Sequence, residues 1–135
     1  MDIIYPVLFL VMLTFMMTFA TGFSRLISVR RKEINPRYYV LMSGATPPDY
    51  VQKLGRNFAN LLEMPILLSL LAVLVIILQI DSRLIFNLAW LYTALRLLHS
   101  LIHITYNHVI HRFAVFVSSV LTLLVMWIHF VTLMR

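Results

Sequence analysis

Long apolar runs dominate this chain, and most of its charged residues lie between the runs rather than within them. A membrane-crossing helix needs about 20 largely apolar residues, and the runs reach that length. We therefore predict an all-α membrane protein with a bundle of four transmembrane helices. The predicted spans cover about residues 3–25, 57–80, 84–105 and 112–134, and residues 1–135 form a single domain.

The connections between the predicted spans differ greatly in length. The first, about residues 28–55, contains Pro36, Pro47, Pro48 and two glycines, which interrupt helices. The second is a short hairpin at residues 79–83, and the third is a turn near residues 106–109. Without the third turn, residues 84–134 would form a helix of about 75 Å, which no bilayer accommodates.

Composition supports a membrane rather than an aqueous environment. Hydrophobic residues make up 61% of the 135 residues and charged residues 12%, and the mean hydropathy is +0.92. This composition leaves too little polar surface for a soluble domain. Cysteine is absent, which excludes disulfides, thiolate metal sites and a cysteine nucleophile.

Basic residues concentrate at one end of the predicted bundle. They flank or occupy the first connection, whereas the other side carries Arg83 and Arg135. The positive-inside rule therefore predicts a cytoplasmic first connection and both termini outside, in the inner membrane if the source is bacterial. We interpret the net charge of +6 as a signal for topology and anionic lipid headgroups, with no role in binding nucleic acid. The N-terminal run has no basic region before it, and we expect a retained span rather than a cleaved signal.

Ionisable residues interrupt the second and third spans, and their spacing places them on two helix faces. The faces carry Arg56, Asn60 and Glu63 on the second span, and Arg96, His99, His103 and Tyr106 on the third. Glu63 and Arg96 lie at similar depth, so we expect a buried ion pair in a polar pocket that opens toward the cytoplasm. Such a pair serves either ligand binding or the fastening of helices to one another. His99 and His103 lack a third ligand, and no metal site is expected.

At these residues the sequence resembles the MAPEG family, the membrane-associated proteins of eicosanoid and glutathione metabolism. The resemblance includes Asn35-Pro36 after a basic run, the pattern Arg-x-x-x-Asn-x-x-Glu from Arg56 to Glu63, and the pattern Arg-x-x-His from Arg96 to His99. Arg112 follows Arg96 at the spacing where the transferase and prostaglandin-synthase branches carry an arginine near the glutathione thiol. Within the family, the chain is similar to a microsomal glutathione transferase-like member of bacterial type.

The family resemblance implies a homotrimer that binds glutathione between neighbouring subunits near the cytoplasmic side. The glutathione contacts that follow from it are Arg56, Asn60, Glu63, His99, His103, Tyr106 and, at the end of the first span, Arg25. Arg112 is the expected catalytic residue, because a nearby guanidinium favours an ionised thiol. Two positions depart from the family pattern: His103 replaces a common tyrosine, and Phe113 replaces a serine of the prostaglandin-synthase branch.

The sequence leaves more than one function open. The leading hypothesis is a glutathione transferase or peroxidase that acts on a lipophilic small molecule, and both conjugation and peroxide reduction fit. The second is a non-catalytic membrane protein that binds a lipid or a partner protein, with the Arg–Asn–Glu set as architecture. A proton- or ion-coupled carrier is disfavoured, because the sequence shows no inverted repeat.

Overall fold

A computed structural model describes residues 2–135, and within that range all regular secondary structure is helical. This confirms the predicted all-α class. The helices are α1 (Ile4–Arg30), α2 (Tyr38–Leu41), α3 (Asp49–Glu63), α4 (Pro65–Ile77), α5 (Arg83–Ile104) and α6 (Val109–Leu133).

Four helical segments in residues 2–135 are long and apolar enough to cross a membrane, as the sequence predicted. They are α1, α3 together with α4, α5, and α6. The shortest, α5, has 22 residues, which is about 33 Å at 1.5 Å per residue and exceeds the roughly 30 Å of a hydrocarbon core. Many large apolar side chains on the outside of the bundle are exposed, as lipid-facing residues are.

The first connection is shorter than predicted, because helix continues into both of its ends. α1 extends to Arg30, since no glycine or proline follows Gly22 until Pro36. At the other end α3 already begins at Asp49 instead of near residue 57. Pro48 has the extended conformation of a residue that precedes a helix, and the Asp49 carboxylate in the first turn complements the helix dipole.

Pro65 divides the second span into α3 and α4. Proline has no N–H group, so the bond from residue 65 to the carbonyl of Leu61 cannot form. α3 ends at Glu63 and α4 begins at Pro65. At the junction the Leu67 N–H donates to the carbonyl of Met64, three residues earlier, at 3.1 Å. The interruption falls one residue beyond Glu63, where the sequence predicted it.

The turn between α5 and α6 is formed without glycine or proline. Asn107 adopts a left-handed conformation with φ of 51°, which asparagine tolerates better than most residues. Its N–H donates to the carbonyl of Ile102 at 2.8 Å, which closes the end of α5. The turn makes α5 and α6 antiparallel neighbours, and they form the most extensive helix pair in residues 2–135.

A polar contact lies inside the otherwise apolar core at the junction of α1, α3 and α5. The Asn57 side chain, 1% exposed, donates to Ser100 Oγ and lies 3.1 Å from Met17 Sδ. Polar contacts of this kind link helices in a bilayer, where apolar side chains gain nothing by leaving lipid.

Replacing Asn57 by alanine is expected to lower the free energy of unfolding by about 1–2 kcal/mol, because Ser100 loses its partner in the core. The measurement is reversible unfolding in mixed micelles. Asn87→Ala is the matched control, since the Asn87 side chain is exposed on α5. Equal stabilities of the two variants would contradict the assigned role of Asn57.

Candidate functional site

The inward face of α5 carries the buried arginine and histidine side chains of the bundle. Arg96, His99 and His103 are 0%, 4% and 2% exposed. Their spacing of three and four residues places them on one side of the helix, as the sequence indicated. That side faces α6, whose Phe116 ring lies 5.8 Å from the ring of His99.

A cavity of about 420 Å³ lies between α3, α5 and α6, within the usual size range of small-molecule sites. It contains a large part of the predicted site. The predicted residues that line it are Arg56, Asn60, His99, His103 and Arg112. The remaining lining is apolar and comprises Ala59, Val109, Phe113 and Phe116.

His99 is oriented by the backbone of α6. Its Nδ1 donates to the carbonyl oxygen of Arg112 at 3.2 Å, which fixes the proton of the neutral ring on Nδ1. Nε2 therefore carries the lone pair, and it is enclosed without a hydrogen-bond partner among the described residues.

Arg112 lines the cavity and is held by the turn that precedes α6. Its Nη1 donates to Asn107 Oδ1 at 2.7 Å, and its side chain is half-buried. A guanidinium has five N–H groups, so this bond orients Arg112 and leaves further donors for a ligand. The same residue thus contributes its carbonyl to His99 and its cation to the cavity.

Arg96 lies just beyond the floor of the cavity, between two aromatic rings. Its guanidinium carbon is 5.1 Å from the centre of the Phe116 ring and 5.3 Å from that of Tyr92. Its Nε donates to the Tyr92 hydroxyl at 3.0 Å. Neither Nη1 nor Nη2 has a hydrogen-bond partner within residues 2–135, so stacking on aromatic faces is its main compensation for lost water.

The predicted Glu63–Arg96 ion pair is not formed within the chain, and this expectation is corrected. Glu63 is exposed, whereas Arg96 is fully buried and neither of its Nη atoms has a hydrogen-bond partner among the described residues. The similar depth of the two residues was insufficient, because Glu63 is exposed at the end of α3 while the Arg96 guanidinium is enclosed by the Tyr92 and Phe116 rings. A carboxylate exposed on a span is costly in lipid.

Two other predicted residues lie apart from the cavity. Tyr106 is exposed in the turn between α5 and α6, and its hydroxyl is 3.2 Å from Nδ1 of His111 on α6. Arg25 lies over the Tyr39 ring at 5.7 Å and lines a separate cavity of about 260 Å³ beside α2. Arg56 lines that cavity as well, so Arg25 is a neighbour of the site rather than part of it.

The electrostatic character of the main cavity favours an anion. Its lining includes two arginines and two histidines, and no carboxylate among the described residues. Guanidinium groups bind carboxylates through paired hydrogen bonds, and a weakly solvated setting strengthens such contacts. In residues 2–135 no group of three or more His, Cys, Asp or Glu side chains could hold a metal ion.

Phe116 and Asn107 are functional candidates that sequence reasoning did not identify. Phe116 separates the cavity from Arg96, and Asn107 positions Arg112. Asparagine in a connection between two spans is a common turn signal, so Asn107 could have been singled out on that ground. Phe116 carries no such signal, because one aromatic residue among many apolar ones is not distinctive.

Comparison with known proteins gave one result. The family model described as MAPEG family matches residues 3–132, which is nearly the whole chain. No curated protein and no solved structure matches the chain significantly.

The position of Phe116 predicts that Phe116→Ala exposes Arg96. The guanidinium of Arg96 is shielded by this ring, so an arginine-selective dicarbonyl reagent should modify Arg96 in the variant and spare it in the wild type. Peptide mass spectrometry measures the modification. Phe113→Ala is the matched control, because Phe113 lines the same cavity and is 65% exposed. Labelling of Arg96 in the wild type would contradict the predicted shielding.

Proposed function

The chain belongs to the MAPEG family, and on that premise we propose that it is a membrane-bound glutathione transferase or peroxidase for lipophilic electrophiles. It is an integral membrane protein with helices suited to cross a bilayer. The observation that carries the proposal is the single cavity lined by Arg56, Asn60, His99, His103 and Arg112. Within the family, the proposed type is a bacterial-type microsomal glutathione transferase.

The chemistry of glutathione suits this cavity. Glutathione carries two carboxylates and one ammonium, and the two arginines of the lining provide partners for the carboxylates. Asn60 can donate or accept a hydrogen bond with the peptide groups of the ligand. Glutathione is therefore the proposed co-substrate.

The proposed reaction starts from a glutathione thiolate beside Arg112. A thiol is a poor nucleophile until it is ionised, and a neighbouring guanidinium lowers the thiol pKa. The thiolate then attacks an electrophilic carbon or a peroxide oxygen of the second substrate. Val109 and Phe113 line the same cavity and are each 65% exposed, which gives an apolar substrate a path from the lipid.

We also propose that the chain assembles as a homotrimer in which a neighbouring subunit covers Glu63. On the single chain this carboxylate is exposed within a membrane-spanning segment, where a charge facing lipid costs a few kcal/mol. A neighbour would remove that cost and bring Glu63 and Arg25 toward an adjoining site, where a carboxylate complements the glutathione ammonium.

The proposed orientation follows from the distribution of charge. The end that carries α2 and the first connection holds most of the basic residues, so it is assigned to the cytoplasm, with both termini outside. The cavity mouth near Arg112 lies at this end, where cytoplasmic glutathione has access.

Arg112→Ala is expected to shift glutathione thiolate formation to higher pH by about 1–3 units, because the neighbouring cation that favours the ionised form is lost. The measurement is ultraviolet thiolate absorbance during glutathione titration of the purified protein. Arg37→Ala is the control, since Arg37 is exposed outside the cavity. Absence of both binding and thiolate in the wild type would refute the proposed enzyme.

A second candidate function, non-catalytic lipid binding, is favoured by an apolar groove on the other side of α3. The groove has a volume of about 430 Å³ and lies between α1 and the second span. Its hydroxyl groups from Thr14, Thr18 and Ser69 all donate to carbonyls of their own helices, so the groove offers an acyl chain an apolar surface.

Glu63→Gln distinguishes the two functions. If Glu63 contacts the glutathione ammonium, the oligomer should persist while glutathione affinity falls about tenfold or more, because a charge-assisted hydrogen bond is lost. If Glu63 is architectural, assembly itself should fail. Native mass spectrometry and glutathione titration measure both properties. Glu33→Gln is the control, because Glu33 is an exposed carboxylate of the first connection.

A further inference from the structure

A second, smaller cavity lies against the candidate site at the basic end of the bundle. It has a volume of about 190 Å³ and is lined by Asp49, Gln52, Lys53, Arg56, His103 and Asn107. Among the described residues, Arg56 and His103 alone line both cavities. These two side chains therefore form the shared wall between the ligand cavity and its neighbour.

Of the two wall residues, His103 is the one that can carry a proton across. A guanidinium stays protonated at any physiological pH, so Arg56 cannot accept a proton. A neutral imidazole can accept one and release it again. Nδ1 of His103 is enclosed without a partner in residues 2–135, so Nε2 is the nitrogen that the cavities can reach.

From this geometry we propose that His103 is the proton acceptor for the glutathione thiol and releases the proton into the second cavity. The inference rests on the proposed function and adds a catalytic residue to it. The S–H bond breaks, the proton moves to Nε2, and sulfur keeps the electron pair as a thiolate beside Arg112. The imidazolium then gives its proton to water in the second cavity, and His103 returns to the neutral form.

The charges around His103 give the proton a direction. Cations face it from both neighbouring helices, which favours a thiolate in the main cavity and disfavours a retained proton. Among the described residues that line the two cavities, Asp49 carries the one carboxylate, and it lines the second cavity. The titratable and charged groups around His103 are Asp49, Lys53 and Arg56 on α3, His99 on α5, and Arg112 on α6.

Substitutions at position 103 can distinguish a role in proton transfer from a role in ligand binding. A tyrosine there donates a hydrogen bond but does not accept a proton at neutral pH. His103→Tyr and His103→Gln therefore retain polar contact with a ligand and lose the acceptor. His108→Gln is the matched control, because His108 is exposed and lines neither cavity in the part of the chain that the structure describes.

Stopped-flow mixing of the purified full-length protein with glutathione separates the rate of thiolate formation from its final amount. Both His103 variants should form thiolate about 100-fold more slowly, the usual size of a general-base contribution. Their final amount should equal that of the wild type, because Arg112 is unchanged. His108→Gln should match the wild type in rate and amount, and added imidazole should restore the rate in His103→Ala.

Two results overturn the assignment of His103. One is a wild-type rate in both the Tyr and Gln variants. The other is a loss of final thiolate in a variant that elutes as the intact oligomer, which would make His103 a binding residue instead. A wild type that forms no thiolate refutes the proposed function itself, so the two failures are distinguishable.

Discussion

A helix that spans a membrane can carry arginine and histidine only if that side of the helix faces protein rather than lipid. α5 meets this constraint along its whole inward face, and it is the most buried of the four spans in residues 2–135. It packs against α1, α3 and α6. The positions of α1, α3 and α6 follow from this constraint, because each of them covers part of the polar face of α5 that lipid cannot cover.

Arg96 shows how strict this constraint is. Its charge cannot be lost by deprotonation, and the described chain surrounds it with the Tyr92 hydroxyl and two aromatic faces instead of a carboxylate. Phe116 consequently has two roles, since it shields the cation on one side and forms the cavity floor on the other.

The sequence predicted the number of spans and much of the cavity, because both depend on short-range spacing. Arg56 and Asn60 are four residues apart and do line one cavity. Glu63 is only three residues further, yet it is exposed and does not line that cavity. Its depth could be counted at 1.5 Å per residue, but the exposure of its side chain depends on which helices pack beside that part of α3. The start of α3 was missed for a different reason. Residues 49–53 include Asp49, Gln52 and Lys53, and this stretch is too polar to be recognised as part of a membrane span.

The α5–α6 turn links the groups that the proposed chemistry needs. Asn107 holds the Arg112 guanidinium, while the Arg112 carbonyl holds the His99 ring. Asn107 and His103 both line the second cavity. A displacement of this turn would therefore move the Arg112 guanidinium, the proposed partner of the thiolate, and alter the wall of the proposed proton path together. Such coupling favours a rigid turn, and the left-handed Asn107 with its bond to Ile102 provides one without glycine. The chain thus closes this connection at the position where a loose turn would separate Arg112 from the proposed base, His103.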